Sequence, residues 1–322
     1  MLRTTLTERW SLRYPVLNAS MTPAAGARLA RAVTEAGGLG VFGLDPREER
    51  TSVASQIAAL QAAPAVSFGV GVLAWALPGA PYLLDMAIEA RPKFVCVSFG
   101  DLTPLVKRVR DAGIEVVAQV QDRAAAVEAV RTGASVVVAQ GTEAGGHTGK
   151  IGTMTILQAV LDSVDVPVLA AGGIGTPRGV AAALAAGAAG VWVGTTLLFA
   201  EEARVPDGAR SRLKTAREGD TVLTHAFDRV QGAAWPDAFA GRALRNRFTE
   251  RFHGHEDSID AAARADFTSA KQAGNYDIAN IYAGEAVGLR DEVQPAGAIV
   301  RSLAEGAEAL LRDRCKSLID PQ

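Results

Sequence analysis

The sequence is poor in cysteine, poor in histidine and almost balanced in charge. Two cysteines in 322 residues, Cys96 and Cys315, make no disulfide framework and suit a reducing compartment, so a cytoplasmic location is expected. With 33 Lys and Arg against 35 Asp and Glu, the formal charge of −2 draws the chain neither to nucleic acid nor to an anionic membrane. No apolar run is both long enough and glycine-poor enough to cross a bilayer. The opening MLRTTLTERW lacks the apolar core of a signal peptide, so the sequon Asn18-Ala19-Ser20 carries no glycosylation meaning. Also missing are HExxH, GxSxG, paired CxxC and GxxxxGK[ST], which argues against a zincin, a serine hydrolase, a zinc ribbon and a P-loop nucleotidase. The tract HGHED (253–257) has metal-binding side chains, but no motif places a third ligand; it reads as an exposed loop, and no metal is expected.

What is present is ordinary globular material, 48% hydrophobic and 21% charged, and long enough for one large α/β domain or two smaller ones. Short, β-branched apolar runs recur at 15–19, 39–43, 66–72, 93–98, 114–120, 135–140, 166–172 and 189–194. They are apolar at nearly every position, as strands buried on both faces of a parallel sheet must be. Amphipathic or alanine-rich segments lie between them, at 26–37, 47–63, 102–113, 122–133 and 176–187, several closing on a glycine suited to a left-handed helix end. Eight strands alternating with helices predict a (β/α)8 TIM barrel, with a doubly wound sheet as the rival. After Gly194 the beat stops; residues 200–279 read as a helical cap following the eighth barrel strand, and 296–318 as an amphipathic helix. The expected division is a barrel from 1–199 and 280–322 with the cap at 200–279.

In such a barrel the strands' C-terminal ends form the active face. The seventh barrel strand ends in AAGGIGTPRG, where Gly172, Gly173 and Gly175 precede a helix with Thr176 as N-cap and Pro177 as first residue. The eighth ends in VWVGTT, with Gly194, Thr195 and Thr196. Glycine turns before helix N-termini suit a phosphate, although tight βα turns alone would read the same way. The first strand ends in LNASMTPAAG, where Asn18, Ser20 and Thr22 break the apolar run and Met21 could rest on a flat ring. Gln140 closes the sixth run. Seven residues on, His147 sits in QGTEAGGHTG, a loop whose glycines Gly141, Gly145, Gly146 and Gly149 clear space around the imidazole, with Glu143 as a candidate to orient it.

Together these blocks resemble the nitronate monooxygenases, through PVLNASMTPAAGARLARAVTEAGGLGVFG, VVVAQGTEAGGHTG, PVLAAGGIGTPRGVAAALAAGAAGVWVGTTLL and YAGEAVGL (282–289). The related FMN-dependent enoyl-acyl-carrier-protein reductases share the fold and a similar histidine loop. The resemblance implies non-covalent FMN, its phosphate on Gly172, Gly173, Gly194 and Thr195. It places Ala19, Ser20 and Met21 along the isoalloxazine and Gln140 near its polar edge, with Gly145, Gly146 and Glu285 as further contacts. His147 would face the substrate as catalytic base or proton donor. The implied reaction is oxidation of alkyl nitronates by O2 to a carbonyl compound and nitrite.

Two departures stand out: Ser20 where the family often has proline, and Glu285 where it often has glutamine. A carboxylate beside a flavin disfavours the anionic reduced ring. Two other readings stay open, an NADH- or NADPH-dependent enoyl-thioester reductase and a flavin-binding barrel without turnover. Partners are expected to be small molecules, and the long C-terminal helix offers a surface for a homodimer.

Overall fold

The computed structural model describes residues 2–62 and 64–318, with the side chains of 315–318, Cys315 among them, outside the description. Its strands are β1 (Val16–Asn18), β2 (Gly40–Gly43), β3 (Phe68–Leu73), β4 (Phe94–Ser98), β5 (Glu115–Val120), β6 (Val136–Gln140), β7 (Gly146–Thr148), β8 (Val168–Ala171), β9 (Gly190–Val193), β10 (Thr221–Thr224) and β11 (Ala240–Leu244). All eight apolar runs become parallel strands of one sheet, ordered β1-β9-β8-β6-β5-β4-β3-β2. The chain is a (β/α)8 TIM barrel. Between β1 and β2 the ladder shrinks to one parallel bridge, Leu17 to Leu39. Asn18 completes the closure: its side-chain amide donates to the Val41 carbonyl at 2.7 Å and accepts from the Val41 N–H at 2.8 Å. An amide side chain thus stands in for a strand's backbone.

Alternation sorts the strand residues. Val16, Phe42, Val70, Val95 and Val97 pack outward among the helices. Leu17, Val41, Cys96, Val117, Val138 and Trp192 face the interior. Burial there pushes the Cys96 thiol up to about 12, so it stays an unreactive apolar filler. The helix Thr5–Trp10 closes the strands' N-terminal end, capped by Thr4. Its Trp10 stacks on Phe94 at 5.0 Å and donates to the Glu115 carboxylate at 3.0 Å.

The helices between strands end as their glycines foretell, with positive φ at Gly37, Gly113, Gly133 and Gly187. The last helix, Ala296–Leu318, packs against helices Pro177–Ala185 and Ala27–Glu35. Beyond β9 the cap is more than helical. β10 and β11 pair antiparallel, and β11 pairs with β7, so the histidine loop itself becomes a sheet edge. Around this ribbon lie the helices Ala226–Gln231, Arg247–Phe252 and Ala261–Gln272, with a core including Phe227, Phe248, Phe252 and Phe267. No helix among the described residues is long and apolar enough to cross a membrane.

Candidate active site

The strands' C-terminal ends change the interior from apolar to polar. On the faces that carry Phe94, Val117 and Val138 lower down, the last inward positions are Ser98, Gln119 and Gln140, all buried. Gln121 donates to Gln140 Oε1 at 2.8 Å, and Gln140 donates to the His147 carbonyl at 3.0 Å. Gln140 therefore fixes the histidine strand through its backbone.

His147 lies opposite Gly241 in the β7–β11 pairing. A Cβ at Gly241 would come within 3.4 Å of the imidazole Nε2, so the missing side chain leaves the ring its place. Nε2 lies 2.9 Å from Asp228 Oδ1, the two side chains only 5% and 6% exposed. Asp228 Oδ2 is buried without a hydrogen-bond partner among the described residues, with His225 Nδ1 3.9 Å away. The Tyr282 hydroxyl reaches Asp228 Oδ1 at 3.4 Å, and burial together with that carboxylate pushes the phenol up, so it stays a neutral donor. One face of the imidazole carries the indole of Trp235, with centroids 3.4 Å apart and planes within 6°. A carboxylate behind an imidazole holds its tautomer and stabilises the imidazolium, the arrangement of a general base.

Glu143 does not orient this histidine. Both its oxygens accept from the Thr153 N–H, at 3.0 and 2.9 Å, and one from the Thr153 hydroxyl, so it serves the N-terminus of helix Thr153–Leu161. Asp228, 81 residues from His147, does the orienting instead.

The glycine turns lie against the histidine loop. A Cβ at Gly172 would meet the Gly141 carbonyl at 3.1 Å and the Ala144 nitrogen at 3.2 Å. Gly172 and Gly173 have φ of 107° and 66°, conformations that a side chain would strain. Thr176 is the N-cap of helix Pro177–Ala185, but its hydroxyl makes no capping bond. The N–H groups of Gly173, Ile174 and Gly175 find no acceptor among the described residues. Unpaired amides in a turn leading into a helix N-terminus can take an anion. At the neighbouring turn, Thr196 donates to the Gly175 carbonyl at 3.3 Å, and Thr195 Oγ1 accepts from the Gly284 N–H at 2.8 Å.

The first-strand loop joins them. A Cβ at Gly194 would lie 3.5 Å from Met21 Sδ and 3.7 Å from Ala19 Cβ. Ser20 occupies the space that glycines at 43 and 71 leave, since a Cβ at Gly71 would fall 2.4 Å from its Oγ. Gly145 packs on the backbone of Ala283 and Gly284, whereas Gly146 faces open space. Glu285 comes into the group with its charge answered: Arg242, whose side chain is 10% exposed, meets it at 3.0 Å. Arg242 also donates to the Thr142 carbonyl at 2.7 Å. All of the residues singled out for the site thus gather on one face, whereas His225, His253 and His255 stay on the cap. Among the described residues no three His, Cys, Asp or Glu side chains form a metal cluster.

The sequence reading missed Asp228, Gln121, Trp235, Tyr282 and Arg242. Gln121 carries a signal, since an amide directly after an apolar strand parallels Gln140. Asp228 carries none, because it reaches the imidazole only through the fold of the cap.

Residues 79–306 match the nitronate monooxygenase profile. The chain belongs to the nitronate monooxygenase family. The chain is 36% identical over 227 residues to a (3aS,4S,5R,7aS)-5-hydroxy-7a-methyl-1-oxo-octahydro-1H-indene-4-carboxyl-CoA dehydrogenase of Rhodococcus jostii. That alignment covers 70% of this chain and 64% of the relative, so the chain spans just under two thirds of that protein's length. FabK from Thermotoga maritima superposes with a TM-score of 0.86 at 29% identity, covering 99% of this chain and all of that one. The nitroalkane oxidase of Streptomyces ansochromogenes superposes at 0.79 with 26% identity, covering 98% of this chain and 100% of the other.

Proposed function

We propose that this family member is a cytoplasmic enzyme that binds FMN and oxidises alkyl nitronates and their parent nitroalkanes with O2, releasing a carbonyl compound and nitrite. The observation that carries the reading is the buried His147–Asp228 pair on a loop packed against the unpartnered amides of the Gly172 turn. Those amides and the Gly194–Thr195 turn fit a flavin phosphate, and Ala19, Ser20 and Met21 offer small or soft side chains for its ring. Gln140 and the glycines at 145 and 146 fit the remaining edge. Bound FMN would supply electron acceptance and the relay to O2.

The protein's own part is to hold the substrate carbon and manage its proton. With Nε2 donating to Asp228, the lone pair lies on Nδ1, which takes the proton from the carbon beside a nitro group. Asp228 then balances the imidazolium, and a nitronate, already deprotonated, needs no base. The barrel parts, 1–199 and 280–322, carry the flavin in this reading, and 200–279 cover the substrate side.

A second reading, oxidation or reduction of an acyl thioester, is favoured by the Rhodococcus relative, whose name is that of a CoA-thioester dehydrogenase. A carbon beside a thioester carbonyl is also acidified, so the same base serves. Anaerobic titration of the flavin-loaded protein decides between them. Bleaching by propyl-nitronate supports the first; bleaching by NADPH alone replaces it with the enoyl-thioester reductase. A flavin that neither reductant bleaches leaves a binding barrel without turnover, and a protein that takes up no FMN removes the reading altogether.

A further inference from the structure

Four aromatic side chains, in a cluster that reaches His147 through Trp235, take no part in this chemistry. Trp75 follows β3, Phe99 follows β4, and Trp235 and Phe239 lie between helix Ala226–Gln231 and β11. They converge on Trp235, whose ring centroid is 4.9 Å from that of Trp75 and 5.2 Å from that of Phe99, while Phe99 meets Phe239 at 5.1 Å. The Trp75 backbone N–H donates to the Phe99 carbonyl at 2.9 Å, tying two strand ends together.

Three features mark the group as more than core. Phe99 has φ of 56°, a left-handed conformation that bulky residues avoid and that is retained mostly where a side chain must be aimed. Trp75, Trp235 and Phe239 remain half-buried although Trp235 stacks on a buried imidazole, so aromatic surface opens to solvent at the site. The indole nitrogen of Trp75 is buried with no acceptor among the described residues. The nearby carboxylate of Asp237 is already paired with Arg229 at 3.1 Å, so the group selects no cation through it.

We infer that Trp75, Phe99, Trp235 and Phe239 form the subsite for a neutral carbocyclic group of the substrate, held next to the carbon that His147 deprotonates. The inference rests on the carbon-acid reading above and names its substrate class: nitro compounds whose reacting carbon belongs to, or carries, a saturated or aromatic ring. One face of Trp235 is covered by the imidazole, and the exposed remainder of the indole supplies a wall beside it. Phe99 and Phe239, edge to face, supply the side.

The test has two arms. In the first, flavin-loaded protein is titrated with cyclohexanone and with acetone, ketones that are not oxidised, while tryptophan emission is followed. The ring is expected to saturate the signal at a concentration at least about tenfold lower than acetone, and Trp235→Ala to remove that difference. In the second, kcat/KM is compared for the nitronates of nitrocyclohexane and 1-nitropropane. Trp235→Ala and, separately, Phe99→Asn are each expected to lower the ring-to-chain ratio by about tenfold. Asparagine tolerates the left-handed backbone, so Phe99→Asn keeps the test open if Trp235→Ala fails to fold. Equal binding of the two ketones, or ratios that stay within about twofold in the folded variants, overturns the subsite. Should no nitronate be oxidised, the ketone arm still decides the subsite while the reaction assignment falls alone.

Discussion

At the N-terminal end of the barrel Phe94 lies between Trp10 and Trp192, with ring centroids 5.0 and 6.2 Å away. Four residues further along the same strand the inward side chain is Ser98, its register partner is Gln119, and Gln140 closes the next strand. One end is filled by interlocking rings and the other by amides, hydroxyls and glycine turns. The strands are shared, and only the inward residue differs. A barrel can therefore place its cohesion at one end and its chemistry at the other, and changes at the two ends should be separable.

The largest effect expected from breaking that separation comes from His147→Ala. Nitronate turnover should fall by roughly 10²–10⁴-fold while the flavin absorbance of the purified protein persists. Phe94→Ala probes the opposite end and should cost about 3–5 kcal/mol of stability, read from denaturant midpoints, with kcat little changed wherever the protein stays folded. Asp228→Asn should lower kcat by about a hundredfold or less with KM nearly unchanged, because it disturbs the base and not the binding surface. Loss of flavin in that variant would mean that the carboxylate serves the scaffold.

Smaller effects sharpen the same contrast. Glu285→Gln leaves the Arg242 guanidinium without its counter-ion, which favours an anionic reduced flavin; the midpoint potential should rise slightly, as a redox titration would show. Asp45 should give the weakest signal. Burial raises its carboxyl, but the hydrogen bonds and charge of Arg47 outweigh this and hold it below the ordinary carboxylate range. The unfolded chain takes up that proton more readily, so the pair stabilises the protein above the unfolded carboxyl's pKa. That contribution fades as pH falls through the lower folded value, and Asp45→Asn should flatten the acid limb of the stability curve.

The sequence made the barrel legible because each buried parallel strand carries its own local signature, an unbroken apolar run, and each helix end its glycine. The glycine turns at 172–175 and 194 and the histidine loop were legible for a similar reason, since missing side chains are visible in a string of letters. β10 and β11 were not. TVLT and AGRAL are short, and their pairing with Gly146–Thr148 is a long-range event. Asp228 was hidden by the same step: nothing near it in the chain indicates that its helix will lean over β7. Glu143, within the histidine loop itself, looked the better partner and was drawn instead to an uncapped helix start.

Asn18 has one last implication. Where two neighbouring staves of the barrel touch through little more than a bridge and one amide, local opening should be cheapest, and the Ala19–Met21 loop begins at that slit. Deuterium uptake at the Val41 nitrogen would then gauge how firmly the mouth is clasped, and a ligand seated against that loop should slow it.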